Sequence, residues 1–200
     1  MRLIAENLTL ERGGRRLFAG LSFAAGAGEA LVVTGPNGAG KSSLLRAIAG
    51  FLPLAGGRVA LEGGELEERT HYLGHADALK SALSAAENLA FWAALLGGQA
   101  APVAPALTRL GLPHVADFPV RALSAGQKRR VALARLLVAP RPLWLLDEPT
   151  TALDVGAQAL FAQVMREHLA QGGIVVAATH APLGLEGARE IRLEGARIAA

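Results

Sequence analysis

The order of apolar and polar residues divides the chain into three stretches of different rhythm. In the first, Leu3–Glu11 and Gly14–Ala24 read as short strands separated by a turn at Gly13-Gly14, and Leu31–Thr34 reads as a short apolar strand. Ser42–Ala49 follows as a helix stopped by Gly50, and Arg58–Leu61 as an edge strand turning at Glu62–Gly64. In the second stretch, residues 76–120, the period becomes helical: Leu89, Trp92, Leu95 and Leu96 recur at helix spacing, as do Leu107 and Leu110. Ser84-Ala85-Ala86-Glu87 supplies a capping box for the first helix of this stretch. In the third, helix Gln127–Val138, strand Leu143–Leu146, helix Val155–Leu169 and strand Ile174–Ala178 alternate, and Arg189–Ile198 reads as a hairpin around Glu194-Gly195. Strands alternating with helices predict an α/β core with a mainly parallel sheet flanked by helices. The expected organisation is a single domain, 1–200, whose core (1–75 and 121–200) has a small N-terminal antiparallel β part and carries an inserted helical lobe (76–120).

Composition changes this picture little. The 200 residues are 52% hydrophobic, enough for a sizeable core and unlike a disordered chain. The longest candidate for a membrane span, Phe91–Leu107, is interrupted by Gly97, Gly98, Pro102 and Pro105, and the N-terminal residues lack the apolar core of a signal peptide. The absence of cysteine removes disulfides, Cys-ligated zinc and iron–sulfur clusters and fits a reducing compartment. Net charge is only +3, so the pI of about 9.9 is weak support for nucleic-acid binding. The one dense basic run, Lys128-Arg129-Arg130 with Arg135 beyond it, reads as a solvated helix face rather than a nucleic-acid patch.

Candidate chemistry begins at Gly35-Pro36-Asn37-Gly38-Ala39-Gly40-Lys41-Ser42, followed by Ser43, which matches G-x-x-x-x-G-K-[ST] between an expected strand and an expected helix. Glycines let the backbone curl until successive N–H groups converge on anionic oxygens, and the helix start adds its positive dipole end. Lys41 is placed to reach the β- and γ-phosphates of a nucleotide and Ser42 to coordinate Mg²⁺. The core is therefore expected to be a P-loop NTPase that binds a nucleotide with Mg²⁺; the motif alone does not identify the type.

Asp147 and Glu148 close the apolar strand Leu143–Leu146. In parallel sheets ligands bind beyond the carboxyl ends of the strands, the edge from which the phosphate loop also departs. Asp147 is thus placed to hold Mg²⁺ through water and Glu148 to orient and polarise an attacking water. Further on, Leu123-Ser124-Ala125-Gly126-Gln127 opens a helix with a second capping box, Ser124 and Gln127. Such a helix start is also an anion site, and a second phosphate cradle asks for a second nucleotide or a second copy of the chain.

Leu123–Gln127 resembles the LSGGQ signature of ABC-type ATPases, with alanine at position 125. The order of phosphate loop, LSAGQ, LWLLDE, Ala152-Leu153-Asp154 and His180 is similar to that family over essentially the whole chain. The resemblance implies a head-to-tail pair of copies, with each ATP between Gly35–Ser43 of one and Ser124–Gly126 of the other. It implies that Asp154 stands at that junction and that His180 lies near the γ-phosphate. Two positions depart from the family pattern. His75 stands where a glutamine ordinarily contacts Mg²⁺ and relays to the membrane partner, and its imidazole can ligate or hydrogen-bond. Arg12 stands where an aromatic ordinarily stacks on adenine, and a guanidinium plane can stack there too.

Within the family the chain is most similar to the haem-exporter ATP-binding subunits of cytochrome c maturation, through Glu11-Arg12, Leu73-Gly74-His75, LSAGQKRRVALARL and QGGIVVAATHAPL. That implies an integral membrane permease as partner, haem-handling maturation proteins beside it, and a peripheral position on the cytoplasmic face of the inner membrane. It implies no nucleic-acid partner and no haem ligands on this chain. An exporter ATPase for another substrate stays open at this point. So does a soluble ABC-type mechanoenzyme acting on nucleic acid or ribosomes, although no coiled-coil, zinc or iron–sulfur insertion is present.

Overall fold

The structure, a computed structural model, describes residues 1–97 and 102–194. Strands β1 (Arg2–Arg12) and β2 (Arg15–Gly26) form an antiparallel pair closed by the Gly13-Gly14 turn. Strand β3 (Ala30–Thr34) leads into helix α1 (Lys41–Ile48), and β4 (Gly56–Leu61) pairs with the outer side of β1. The short helix α2 (Leu66–Arg69) and strand β5 (Thr70–Leu73) precede the lobe, which contains α3 (Ala85–Leu96) and α4 (Val103–Arg109). The chain then alternates through α5 (Ala125–Val138), β6 (Leu143–Asp147), α6 (Val155–Ala170), β7 (Ile174–Ala178) and β8 (Arg189–Arg192). Among the described residues two sheets result: an antiparallel one of order β2-β1-β4 and a five-stranded one of order β5-β6-β7-β3-β8 in which every pairing is parallel.

The parallel sheet is covered on both faces, which is why its central strands read as unbroken apolar runs. Along β6, Leu143 and Leu145 pack toward α1, β1 and β3, while Trp144 and Leu146 pack toward α5 and α6. On β7, Val175 and Ala177 join the second group, and Ile174, Val176 and Ala178 the first. Each fully buried branched side chain contributes about 1.5–3 kcal/mol relative to exposure. These strands therefore form a stiff base for the loops at their carboxyl ends. Helices α3 and α4 pack on α5, so the lobe rests on the core through the helix that LSAGQ opens.

The structure adds to or corrects the sequence-based expectations at three places. Strand β5 is an unanticipated edge of the parallel sheet, because Thr70 and His71 are polar yet buried. Residues 189–192 join the parallel sheet beside β3, a pairing the sequence pattern does not announce; the other arm of the expected hairpin lies outside the described residues. The basic run is not a solvated face, since Arg129 and Arg135 are 3% and 4% exposed. Among the described residues, no helix is long and apolar enough to cross a membrane.

Candidate active site

Helix α1 starts differently from the other helices near the site. Its N-cap is Gly40, in the left-handed region at φ 101°, and no side chain caps it. The first-turn N–H groups are thus left for an anion. A Cβ at Gly40 would also stand 3.2 Å from Leu17 Cβ, so both the backbone angle and the space favour glycine. Lys41 is buried, and its Nζ donates to the carbonyls of Gly35 (2.7 Å) and Pro36 (3.2 Å), folding the ammonium over the loop it serves. Ser42 Oγ donates to Asp147 Oδ1 at 2.9 Å, joining the start of α1 to the end of β6.

The order β6-β7-β3 brings three strand ends side by side. Asp147, the last residue of β6, is buried and pairs in register with Ala178 at the end of β7. Glu148 turns sharply off the strand with φ 47°, a left-handed conformation uncommon for a residue with a Cβ. Its N–H donates to Ala178 O at 2.8 Å, and its Oε2 accepts from Thr179 Oγ1 at 3.2 Å. His180 places Nε2 3.2 Å from Asn37 Oδ1 and 3.9 Å from Glu148 Oε1. A cavity of about 340 Å³ is lined by Arg12, Leu17, Asn37, Gly38, Gly40, Lys41, Ser42, Ser43, Asp147, Glu148 and His180. Cation, hydroxyl, carboxylates and imidazole thus converge on one open pocket from widely separated parts of the chain.

The remaining candidates lie elsewhere. Ser124 and Ala125 are exposed; the Ser124 hydroxyl accepts from Gln127 N (3.2 Å), and the Gln127 side chain accepts from Ser124 N (2.9 Å), completing the expected box. A Cβ on Gly126 would approach Ala152 O to 2.8 Å, so this glycine admits the loop before α6 against the start of α5. Asp154 caps α6 by accepting from Ala157 N at 2.7 Å. None of these residues lines the phosphate-loop cavity, and neither does His75. His75 is exposed after β5 and lines a separate cleft of about 560 Å³ with Arg46, Phe51, Tyr72, Trp92 and Arg135. There Arg135 stacks over Trp92 at 4.3 Å and is held below the usual arginine value, at about 10, chiefly by burial and secondarily by Arg129. Thr179 and Arg129 are site neighbours to which sequence reading gives no role, because their partners, Glu148 and the carbonyls around it, are distant along the chain.

A family model described as ABC transporter matches residues 18–151, which span the phosphate loop, LSAGQ and the strand-end carboxylates. The chain belongs to the ABC transporter family. It is an ATP-binding, ATP-hydrolysing subunit of such a transporter, and subunits of this family dimerise and pair with membrane permease subunits. The cytochrome c biogenesis ATP-binding export protein CcmA of Nitrobacter winogradskyi is 56% identical over 200 residues, covering 98% of this chain and all of that protein. The protein of the same name from Rhodopseudomonas palustris strain BisB18 is 58% identical with the same coverage. An ATP-binding ABC transporter protein from Pyrococcus furiosus superposes with a TM-score of 0.84 over 96% of this chain and 98% of its own; at 22% identity it shows that this ABC ATPase has the fold of its family.

Proposed function

We propose that this ATPase drives the export or delivery of haem for c-type cytochrome biogenesis, working with an integral membrane permease at the cytoplasmic face of the inner membrane. The observation that carries the proposal is full-length identity of 56% and 58% to proteins named for cytochrome c biogenesis export. Haem itself is handled by the membrane partners, and the ATPase supplies work. The test is replacement of the chromosomal copy by the Glu148→Gln variant. Haem-stained c-type cytochromes should disappear while cytoplasmic haem proteins persist, and the chain should reach the membrane fraction only when the permease is co-expressed. Normal c-type cytochromes in that strain would contradict the proposal.

The proposed cycle follows from the site. ATP phosphates enter the uncapped start of α1, and Lys41 exchanges its two loop carbonyls for phosphate oxygens, a charge-assisted contact stronger than those it gives up. Ser42 and Asp147, whose oxygens stand 2.9 Å apart, form a hard-oxygen pair of the kind Mg²⁺ takes when phosphates and water supply its other ligands. Mg²⁺ held there would neutralise developing phosphate charge. Among the described residues no group of three or more His, Cys, Asp or Glu could hold a metal ion. Glu148, steadied by Thr179, polarises the attacking water, and His180 with Asn37 fixes the γ-phosphate side of the pocket. Arg12 stacks on the base.

The pocket is open, and the Ser124–Gly126 corner, exposed at Ser124 and Ala125, takes no part in it within one chain. A second copy in head-to-tail orientation supplies that corner, with Asp154 at the junction. Each copy then carries half of two sites. The cleft holding His75 and the exposed Phe51 opens between core and lobe and is the proposed permease side, where His75 serves as the relay.

A further inference from the structure

The basic run Lys128-Arg129-Arg130 plays no part in the site described so far, yet Arg129 ties its surroundings together. The guanidinium is buried and makes five hydrogen bonds. On one side Nη2 donates to the carbonyls of Glu148 (2.8 Å) and Asp147 (3.0 Å), and Nε donates to that of Pro149 (3.2 Å). On the other, Nη1 donates to Gly74 O (3.0 Å) and to the Asp77 carboxylate (3.0 Å). One planar group therefore fastens three successive carbonyls centred on Glu148 to the segment by which the chain leaves β5 for the helical lobe.

We propose that Arg129, charge-paired with Asp77, is a positioning residue that holds Glu148 in its working conformation and couples it to residues 74–77. Glu148 sits at φ 47°, and a residue with a Cβ stays there only where its surroundings over-determine it. Arg129 supplies that constraint from the carbonyl side, as Ala178 does from the N–H side. The rigid fork of donors matters: lysine would keep the charge but could not span both sets of acceptors. Asp77 matters because the guanidinium is buried and needs a counter-charge. A displacement of the lobe that draws residues 74–77 away from α5 therefore reaches the Glu148 turn through a single side chain.

This inference rests on the role of Glu148 proposed above, and the experiment separates the two. MgATP turnover is measured on the full chain assembled with its permease, for Arg129→Lys and Asp77→Asn, each alone and combined with Glu148→Gln. Arg129→Lys is expected to lower kcat about tenfold and Asp77→Asn several-fold, with KM for ATP changed less than about twofold. Neither should lower further the residual turnover of Glu148→Gln, because residues acting through one group are non-additive. Equal fractional losses in both backgrounds would mean general structural support and overturn the proposal. So would wild-type kcat in both variants beside an inactive Glu148→Gln. Should Arg129→Lys fail to fold, Asp77→Asn, whose side chain is 28% exposed, decides by the same comparison. Wild-type turnover in Glu148→Gln would instead remove the water-polarising role, and the strut with it.

Discussion

The starts of α1 and α5 are both glycine-containing helix N-termini, and they are built in opposite ways. At α1 no side chain caps the helix, Lys41 folds over the loop carbonyls, and Ser42 is already bonded to Asp147. At α5 Ser124 and Gln127 cap each other, the corner is exposed, and Gly126 serves the close approach of Ala152. The first leaves its N–H groups uncapped, with a cation and a hydroxyl–carboxylate pair beside them. The second has satisfied part of its own hydrogen-bonding need, and in the proposed dimer it supplements a phosphate that the first already holds. In the proposed dimer this difference divides the labour between two copies: one surface binds, and the other closes over what is bound.

The comparison can be broken at either end. Glu148→Gln should show the largest effect, a loss of at least about 100-fold in kcat measured by phosphate release, with ATP still bound. Lys41→Ala should weaken ATP binding about 10–100-fold in a fluorescent-nucleotide titration, the range expected for a lost charge-assisted contact. Gly126→Ala should leave nucleotide affinity of the single chain unchanged, because this residue does not line its cavity. It should nevertheless depress turnover and lower unfolding free energy by about 1–3 kcal/mol, since the new Cβ meets Ala152 O at 2.8 Å. Ser124→Ala removes one cap and should lower Tm by about 2–4 °C in calorimetry, with a smaller loss of turnover than Gly126→Ala.

Sequence made the tight end of this comparison legible and obscured its supports. The phosphate loop, Asp147-Glu148 and both capping boxes follow from residue type and spacing, because each is a local device that few sequences satisfy. Strands β6 and β7 are legible for a different reason: burial on both faces leaves them apolar throughout. Strand β5 is hidden because Thr70 and His71 break that signal. His71 is nonetheless enclosed and bonded to Ala139 O, with its pKa driven down to about 3 chiefly by burial. Arg129 and Arg135 mislead in the same direction, since a charged side chain reads as solvated until its partners, distant carbonyls, are known. At the C-terminal end, the alternating charges of Arg189–Arg192 give no sign that this strand joins the parallel sheet, and only its pairing with β3 reveals it.

The central claim is that one chain binds ATP but two are needed to enclose it. Equilibrium sedimentation of Glu148→Gln with and without MgATP tests this most directly, with Gly126→Ala combined as the control. The account predicts monomer without nucleotide, a dimer holding two ATP with it, and loss of that dimer in the double variant while ATP stays bound. A single chain that remains monomeric at saturating MgATP, while its wild-type form hydrolyses ATP at full rate as a monomer, would contradict it.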